Sequence, residues 1–260
     1  MKGLMIKDLY CLRRKMTIWG ITVLMTSIVC VMFIFSAKYG NLAKAFDGMR
    51  RTEEEATVSF LVPFLIKEML IIFLLLPLGA SFDLIQSVFI DDKNASFYKV
   101  ASTLPVTRYE RVGARALLIL SSLGIGMVID LVLLSVCRAA SDLLSFRGSI
   151  EIILTFAGAF LMCQAVALFF GYLDGTAAMY GNLATGIALL LIAVIANRKM
   201  LQRVFSAPEE LKDAYLFELF NSMIRFIENK GHWVFLCALP VFAVCYFLAC
   251  CAAGRKRGVA

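Results

Sequence analysis

The sequence has little of what soluble enzymes use for chemistry. It contains one histidine, two tryptophans and five prolines, and only 17% of its 260 residues are charged. No Gly-x-x-x-x-Gly-Lys-[Ser/Thr] motif occurs, so the chain has no P-loop to bind nucleotide phosphates. His-Glu-x-x-His and Gly-x-Ser-x-Gly motifs are also missing. We therefore expect no catalytic residues, no metal site and no cofactor bound by this chain.

The eight cysteines lack the spacing of a metal or disulfide motif. No Cys-x-x-Cys pair occurs, and free cysteine inside an apolar run behaves as a small hydrophobic residue. We interpret in this way the four cysteines that lie within apolar runs, which are Cys30, Cys163, Cys237 and Cys245. His232 adjoins a tryptophan and is interpreted as a membrane-interface residue, because a metal site needs several converging ligands.

Apolar residues dominate the chain, at 61% of the sequence with a mean hydropathy of +0.83. Soluble domains are about 45–50% apolar, so the composition indicates an integral membrane protein. The net charge of +7 suits a protein that lies against anionic lipid headgroups. Nucleic acid is not an expected partner, because the basic residues are spread over every loop.

The apolar runs predict an all-α, polytopic membrane protein with six transmembrane helices in one domain. About 20 apolar residues are needed to cross the hydrocarbon core. The predicted spans cover about 17–37, 58–89, 112–136, 150–172, 178–196 and 234–253. Residues 1–16 are predicted to form a short amphipathic helix on the membrane surface, and residues 198–233 one or two amphipathic helices that lie on, or dip into, the outer leaflet.

Basic residues beside the first and last spans indicate the orientation. Clustered positive charge favours the cytoplasmic side, which predicts that both termini are cytoplasmic. Over all loops the basic residues divide almost evenly, so the orientation depends on these flanking clusters. The residues predicted to contact the membrane surface near the N-terminus are Lys7, Arg13, Arg14 and Lys15.

Several polar residues fall inside the predicted spans. They are costly if they face lipid, so we expect them to face protein or water. The set consists of Lys67, Glu68, Asp83, Asp130 and Gln164. Asp83, Asp130 and Asp174 leave a proton path open. Because no basic partner is evident in facing spans, hydrogen bonding between helices or the lining of a polar cavity is favoured over it.

The central loop, residues 91–111, is a polar island between predicted spans 2 and 3. Asp91, Asp92 and Asn94 are helix N-cap types, and an apolar stripe after them predicts a short amphipathic helix that ends at Pro105. Thr107 to Glu110 is a capping box that opens the next span. Two interpretations stay open: a structured connector, and a docking surface at the membrane face anchored by Phe97, Tyr98 and Leu104.

The opening MKGLMIKDLYCLRRK and the stretch DDKNASFYKVASTLPVTRYERVGARAL resemble those of membrane subunits of ABC type-2 exporters. Among these, the small permeases that export phenol-soluble modulins or bacteriocins are the most similar. The resemblance implies that residues 1–16 are an elbow helix and that the central loop is a coupling helix that docks on a separate cytosolic ATPase. It also implies that the amphipathic stretch Pro208–Ile227 corresponds to re-entrant helices between spans 5 and 6. By position, the partner contacts would be Asp92, Lys93, Phe97, Tyr98, Leu104, Pro105, Val106 and Arg108, with Asp174 in a second contact.

The resemblance further implies a working unit of two permeases and two ATPase subunits in the bacterial cytoplasmic membrane. ATP and Mg²⁺ would bind in the ATPase partner, and the exported substrate would be amphipathic: a peptide toxin, a bacteriocin, a lipid or a drug. Two alternatives stay open. One is a secondary transporter or channel that works without ATP, and the other is a membrane immunity or sensor protein.

Overall fold

The computed structural model of the chain describes residues 2–38, 69, 71–72, 75–79, 82–94, 107–140, 145–174, 177–206 and 208–255. Within these ranges the chain forms α-helices and no β-strand, which confirms the predicted all-α class. The helices are α1 (Lys2–Lys38), α2 (Phe82–Asn94), α3 (Arg108–Ala140), α4 (Phe146–Leu173), α5 (Ala177–Ala196), α6 (Arg198–Ser206) and α7 (Glu209–Arg255).

Among the described residues, four helices are long and apolar enough to cross a membrane. The crossing segments are Ile6–Ser36, Arg108–Ala139, Phe146–Leu173 and Asn221–Gly254, which correspond to predicted spans 1, 3, 4 and 6. At the position of predicted span 5, α5 contains a shorter apolar stretch, Tyr180–Ile192. Predicted span 2 lies mainly outside the described residues, so the six-span count stays a prediction.

The elbow helix predicted for residues 1–16 is not a separate element. Lys2–Lys38 form one helix of 37 residues, so the predicted elbow and the first span are continuous. The junction from Arg13 to Thr17 contains neither proline nor glycine, the residues that most readily interrupt a helix. A helix of this length extends over about 55 Å, well beyond a hydrocarbon core of about 30 Å, so part of α1 lies outside the core.

The central loop begins later than predicted. Asp91 and Asp92 lie in the last turn of α2 and do not cap a new helix, so the N-cap interpretation was wrong for these two residues. No proline or glycine separates them from the apolar residues before them. Asn94 is the last residue of α2, and its predicted role as an N-cap stays a prediction. Lys93 in the same turn is favourable at a helix C-terminus. The short amphipathic helix predicted to follow lies outside the described residues.

The capping box at the start of α3 is confirmed. Glu110 Oε2 accepts a hydrogen bond from the Thr107 backbone N–H at 2.9 Å, and Thr107 Oγ1 accepts one from the Glu110 backbone N–H at 3.2 Å. The two residues thereby satisfy backbone donors that a helix N-terminus otherwise leaves without partners. The C-terminal end of the central loop is therefore held by the capped N-terminus of α3.

Helix α4 is the most enclosed of the four crossing helices, with 61% of its most apolar stretch buried. It packs along α7. Glycine makes the close approach possible: a Cβ at Gly158 would come within 2.8 Å of the Phe235 backbone, and one at Gly231 would overlap the Glu151 carbonyl oxygen. Small residues at such contacts let helix backbones pack tightly. This packing stabilises helix association in a membrane, where the hydrophobic effect does not drive helices together. Helix α4 is thus the central helix of the bundle, and α7 packs closely along it.

The outer stretch predicted for residues 198–233 consists of α6 and the first part of α7. Lys230 has non-helical backbone angles (φ −134°, ψ 15°) and lies inside the apolar segment Asn221–Gly254, so the break interrupts α7 near the start of that segment. Predicted span 6 follows directly after that break and includes Pro240 within the helix. The predicted boundary between outer stretch and span therefore agrees with the break to within a few residues.

Candidate functional site

Four charged side chains from three helices meet at the base of the central loop; we name Lys7, Asp8, Asp92 and Arg115 the charge cluster. The Asp92 carboxylate accepts hydrogen bonds from Lys7 on α1 and from Arg115 on α3. Lys7 Nζ also lies 3.0 Å from Asp8 Oδ1, and Arg115 Nε lies 4.0 Å from Asp8 Oδ2. Two bases and two acids leave the cluster without formal net charge.

The cluster is largely enclosed by protein. Asp8 and Arg115 are buried, with 4% and 8% of their surfaces exposed, and the Asp92 side chain is 13% exposed. A buried charge is very costly unless it is paired and hydrogen bonded. Removing one partner of such a pair leaves the other charge uncompensated, at a cost of about 3–5 kcal/mol. The cluster therefore holds the N-terminal part of α1, the end of α2 and the start of α3 together.

Aromatic side chains extend the cluster to α4. The Arg115 guanidinium lies over the Phe89 ring at 4.1 Å from its centre and 5.2 Å from that of Tyr172. The two rings meet edge to face at 5.4 Å, and the Tyr172 hydroxyl donates to the Arg111 carbonyl oxygen at 3.0 Å. A guanidinium held over two rings gains cation–π attraction, which is strongest where water is excluded. Four helices therefore converge on Arg115.

A second, exposed ion pair connects the central loop to the turn between α4 and α5. Lys93 Nζ lies 3.1 Å from Asp174 Oδ1, with side-chain exposures of 43% and 62%. Asp174 is the C-cap residue of α4, and its backbone N–H donates to the Phe170 carbonyl oxygen. The two segments predicted separately as partner contacts are therefore neighbours on one end of the bundle.

The predicted partner contacts divide into three groups. Asp92 is engaged within the chain, while Lys93 and Asp174 are exposed at the surface. Arg108 is exposed at the start of α3, with its guanidinium 5.0 Å from the centre of the Tyr109 ring. The remaining contacts lie outside the described residues; they are Phe97, Tyr98, Leu104, Pro105 and Val106.

The residues predicted to contact the membrane surface fall into two groups, one within the charge cluster and one outside it. Lys7 lies in the charge cluster, where it faces two acids. Arg13 and Arg14 are exposed and Lys15 is half-buried, with the Arg13 guanidinium 4.5 Å from the centre of the Tyr10 ring. Headgroup contact stays a prediction for the exposed pair.

Of the polar residues predicted inside spans, Asp130 and Gln164 are fully buried, with 0% exposure. Neither Asp130 carboxylate oxygen has a hydrogen-bond partner among the described residues. Asp83 lies in α2, and its side chain is not described. Lys67 and Glu68 lie outside the described residues.

Sequence reasoning missed Asp8 and Arg115 as site residues. Arg115 lies within predicted span 3. Charged residues inside a span are expected to face protein and to pair there, and this expectation would have identified Arg115 as a site residue. Asp8 lies in the predicted elbow, where a charged residue is expected at the membrane surface and does not indicate a buried site. Its pairing depends on how α1 packs against α3, and hydropathy does not predict that packing.

At the far end of α4, His232 forms a pair with Glu151. The His232 backbone N–H donates to Glu151 Oε2 at 2.7 Å, and its ring Nδ1 lies 2.9–3.0 Å from the two carboxylate oxygens. These bonds fix α7 to α4 just after the break at Lys230. Among the described residues, no group of three or more His, Cys, Asp or Glu side chains could hold a metal ion.

A comparison with known protein families identifies the chain. The family model described as ABC-2 family transporter protein matches residues 56–253, which is more than half of the sequence. No match was found among curated proteins, nor among solved structures. The matched range includes the central loop and α2 to α7, and so most of the surface around the charge cluster. The chain therefore belongs to the ABC-2 transporter family and is an ABC type-2 permease, a multi-pass membrane protein.

Proposed function

We propose that this permease is the membrane subunit of an ATP-driven exporter in the bacterial cytoplasmic membrane, with both termini in the cytoplasm. Family membership supports the transporter class. Because the sequence has no P-loop, ATP and Mg²⁺ bind in a separate ATPase subunit. Two ATPase subunits and a second permease copy complete the unit, which exports an amphipathic substrate such as a peptide toxin, bacteriocin, lipid or drug.

The arrangement of charges at the base of the central loop is the observation that carries this proposal. Asp92, at the end of α2, pairs with Lys7 and Arg115, while the adjacent Lys93 pairs with Asp174. The residues that the structure describes at the N-terminal side of the loop are thus tied to α1, α3 and the α4–α5 turn. Asp92 acts in this proposal as an anchor of the loop, and the exposed Lys93 and Asp174 act as partner contacts.

The mechanism follows from that anchoring. When ATP closes the two partner subunits, a displacement of the docked loop reaches Asp92 and through it α1 and α3. A ligand shifts such an equilibrium only by its difference in affinity for the two states, and ATP bound between the partner subunits supplies that difference. The permease then alternates between states open to either side of the membrane.

A second candidate function is ATP-independent transport coupled to protons. Asp130 favours it, because a buried acid without a hydrogen-bond partner among the described residues is costly in its charged form. Intramembrane acids are common in proton relays. This candidate predicts transport that continues without ATP hydrolysis and that is lost in Asp130→Asn.

The exporter proposal is tested by purifying the tagged permease from its native membranes in mild detergent and measuring Mg²⁺-dependent ATP hydrolysis in the product. We expect hydrolysis to copurify with the wild type. The variant Phe97→Ala/Leu104→Asp removes the predicted apolar anchors, so we expect it to lose nearly all of that activity.

Phe205→Ala/Leu211→Asp is the matched control, because it makes the same exchanges at exposed positions away from the central loop. It should retain the wild-type activity. Equal hydrolysis in all three preparations, or none in any, would exclude docking through the central loop. Asp130→Asn would then be tested for proton-driven uptake.

A further inference from the structure

A pair of buried cysteines joins α1 to α3 at the ends remote from the charge cluster. Cys30 and Cys137 have 0% and 2% of their surfaces exposed, and their side chains lie within interaction range of each other. Both are free thiols and belong to one group of buried side chains with Ile34 and Leu134. Because Ile34 follows Cys30 by one helical turn and Leu134 precedes Cys137 by one, each thiol lies on the contacting stripe of its helix.

The two contacts between α1 and α3 have matching separations along both helices. Cys30 follows Asp8 by 22 residues, and Cys137 follows Arg115, the partner of Asp8, by 22. At about 1.5 Å per residue both distances are about 33 Å, close to the thickness of a hydrocarbon core. The helices therefore run parallel and in register, with charges paired at one end and thiols paired at the other.

We propose that Cys30 and Cys137 are a site of reversible disulfide formation that fastens α1 to α3. Disulfide geometry requires Cβ atoms about 3.5–4.5 Å apart, and two cysteines buried in one cluster between parallel helices need little movement to reach it. Among the other described cysteines, Cys163 is buried in α4, Cys11 and Cys237 are exposed, and Cys245, Cys250 and Cys251 lie on the one helix α7.

The chemistry is thiol–disulfide exchange with a small-molecule disulfide. The thiolate of one cysteine attacks the reagent, forms a mixed disulfide and releases one small thiol. The thiolate of the other cysteine then attacks the mixed disulfide, which forms the Cys30–Cys137 bond and releases the second small thiol. The two cysteines give up two protons and two electrons, and the reagent leaves as two thiols.

The test uses the full-length permease in membranes and dithiodipyridine, an apolar disulfide reagent. After oxidation, alkylation of the remaining thiols and proteolysis, we expect mass spectrometry to find a peptide that joins Cys30 to Cys137. Since both thiols are buried, the link should form more slowly than the exposed Cys11 is modified. Dithiothreitol should reverse it.

Two single variants make the result specific. In Cys30→Ser, Cys137 has no resolving thiol, so we expect it to persist as the mixed disulfide. Cys163→Ser, at a buried cysteine in α4, should leave the Cys30–Cys137 link unchanged. The proposal is overturned if Cys30 and Cys137 are both modified by the reagent in the wild type but never joined, or if the link forms preferentially with other cysteines.

A functional consequence rests on the proposed function. If α1 and α3 move relative to one another during export, the disulfide should abolish ATP hydrolysis by the copurified ATPase. Dithiothreitol should restore that hydrolysis. An ATPase that is unaffected by a fully formed link would contradict this movement while leaving the disulfide site intact. The mass-spectrometric result does not depend on any ATPase, so the two proposals fail separately.

Discussion

At the scale of single residues, Arg115 is the side chain on which the charge cluster depends. It pairs with Asp92 and Asp8 and lies over the rings of Phe89 and Tyr172. An arginine can do this because its guanidinium is planar, always charged and able to donate several hydrogen bonds while stacking on an aromatic face. Lysine could not reproduce both kinds of contact.

Neutralising Arg115 should destabilise the protein more than neutralising the whole pair. Arg115→Gln leaves Lys7 with two buried acids, so we expect the free energy of unfolding to fall by about 3–5 kcal/mol. In Asp92→Asn/Arg115→Gln the Lys7–Asp8 pair, 3.0 Å apart, keeps the site neutral, and much of the loss should be recovered. Unfolding midpoints in detergent provide the comparison.

The double variant also supplies the contradicting result. If it is no more stable than Arg115→Gln, the residues do not share a balanced set of charges. The site would then depend on the stacking of the guanidinium on Phe89 and Tyr172 alone.

At the scale of elements, glycine contacts determine how α7 packs on α4. Gly231 follows the break at Lys230, and a Cβ there would overlap the Glu151 carbonyl oxygen. Gly124 in α3 is a matched position for comparison, since a Cβ there would meet nothing within 4 Å. Alanine substitution at Gly231 therefore tests the close helix packing, and the same substitution at Gly124 measures the effect of helix propensity alone.

We expect Gly231→Ala to lower the free energy of unfolding by about 1–3 kcal/mol, the usual cost of overpacking. Gly124→Ala should have no cost or stabilise the helix by up to about 1 kcal/mol, because alanine is the better helix former. Thermal unfolding of the two variants in the same detergent measures the difference. Equal midpoints would contradict the α4–α7 contact at this glycine.

The sequence predicts the elements wherever a signal is local. Long apolar runs located α3, α4 and α5, and the capping box located the start of α3, because caps and hydropathy act within a few residues. The separate elbow failed because nothing local interrupts α1 between Arg13 and Thr17. The N-cap at Asp92 failed because the same residue types are tolerated in the last turn of a helix.

The site was predictable only in part. Lys93 and Asp174 could be marked as exposed loop charges, but their 3.1 Å contact joins residues that are 81 positions apart. The pairs of Asp8 with Arg115 and of Cys30 with Cys137 likewise depend on the parallel packing of α1 and α3. Long-range pairs of this kind follow from tertiary packing, which propensity and hydropathy do not encode.

At the scale of the whole molecule, one end of the bundle combines the described ends of the central loop, the α4–α5 turn and the charge cluster. The opposite end contains the His232–Glu151 pair and the break in α7. This asymmetry assigns the proposed docking function to one end only. A partner that engages the loop should therefore also lie close to Asp174, and far from Trp233.

Site-directed photocrosslinking in intact cells tests that assignment most directly. A photoreactive amino acid would replace Phe97, Asp174 or Trp233, one at a time, in the full-length permease. We predict that positions 97 and 174 crosslink to the same ATP-hydrolysing protein and that position 233 does not. The account would be contradicted if positions 97 and 174 gave no common partner, or if position 233 alone captured the ATPase.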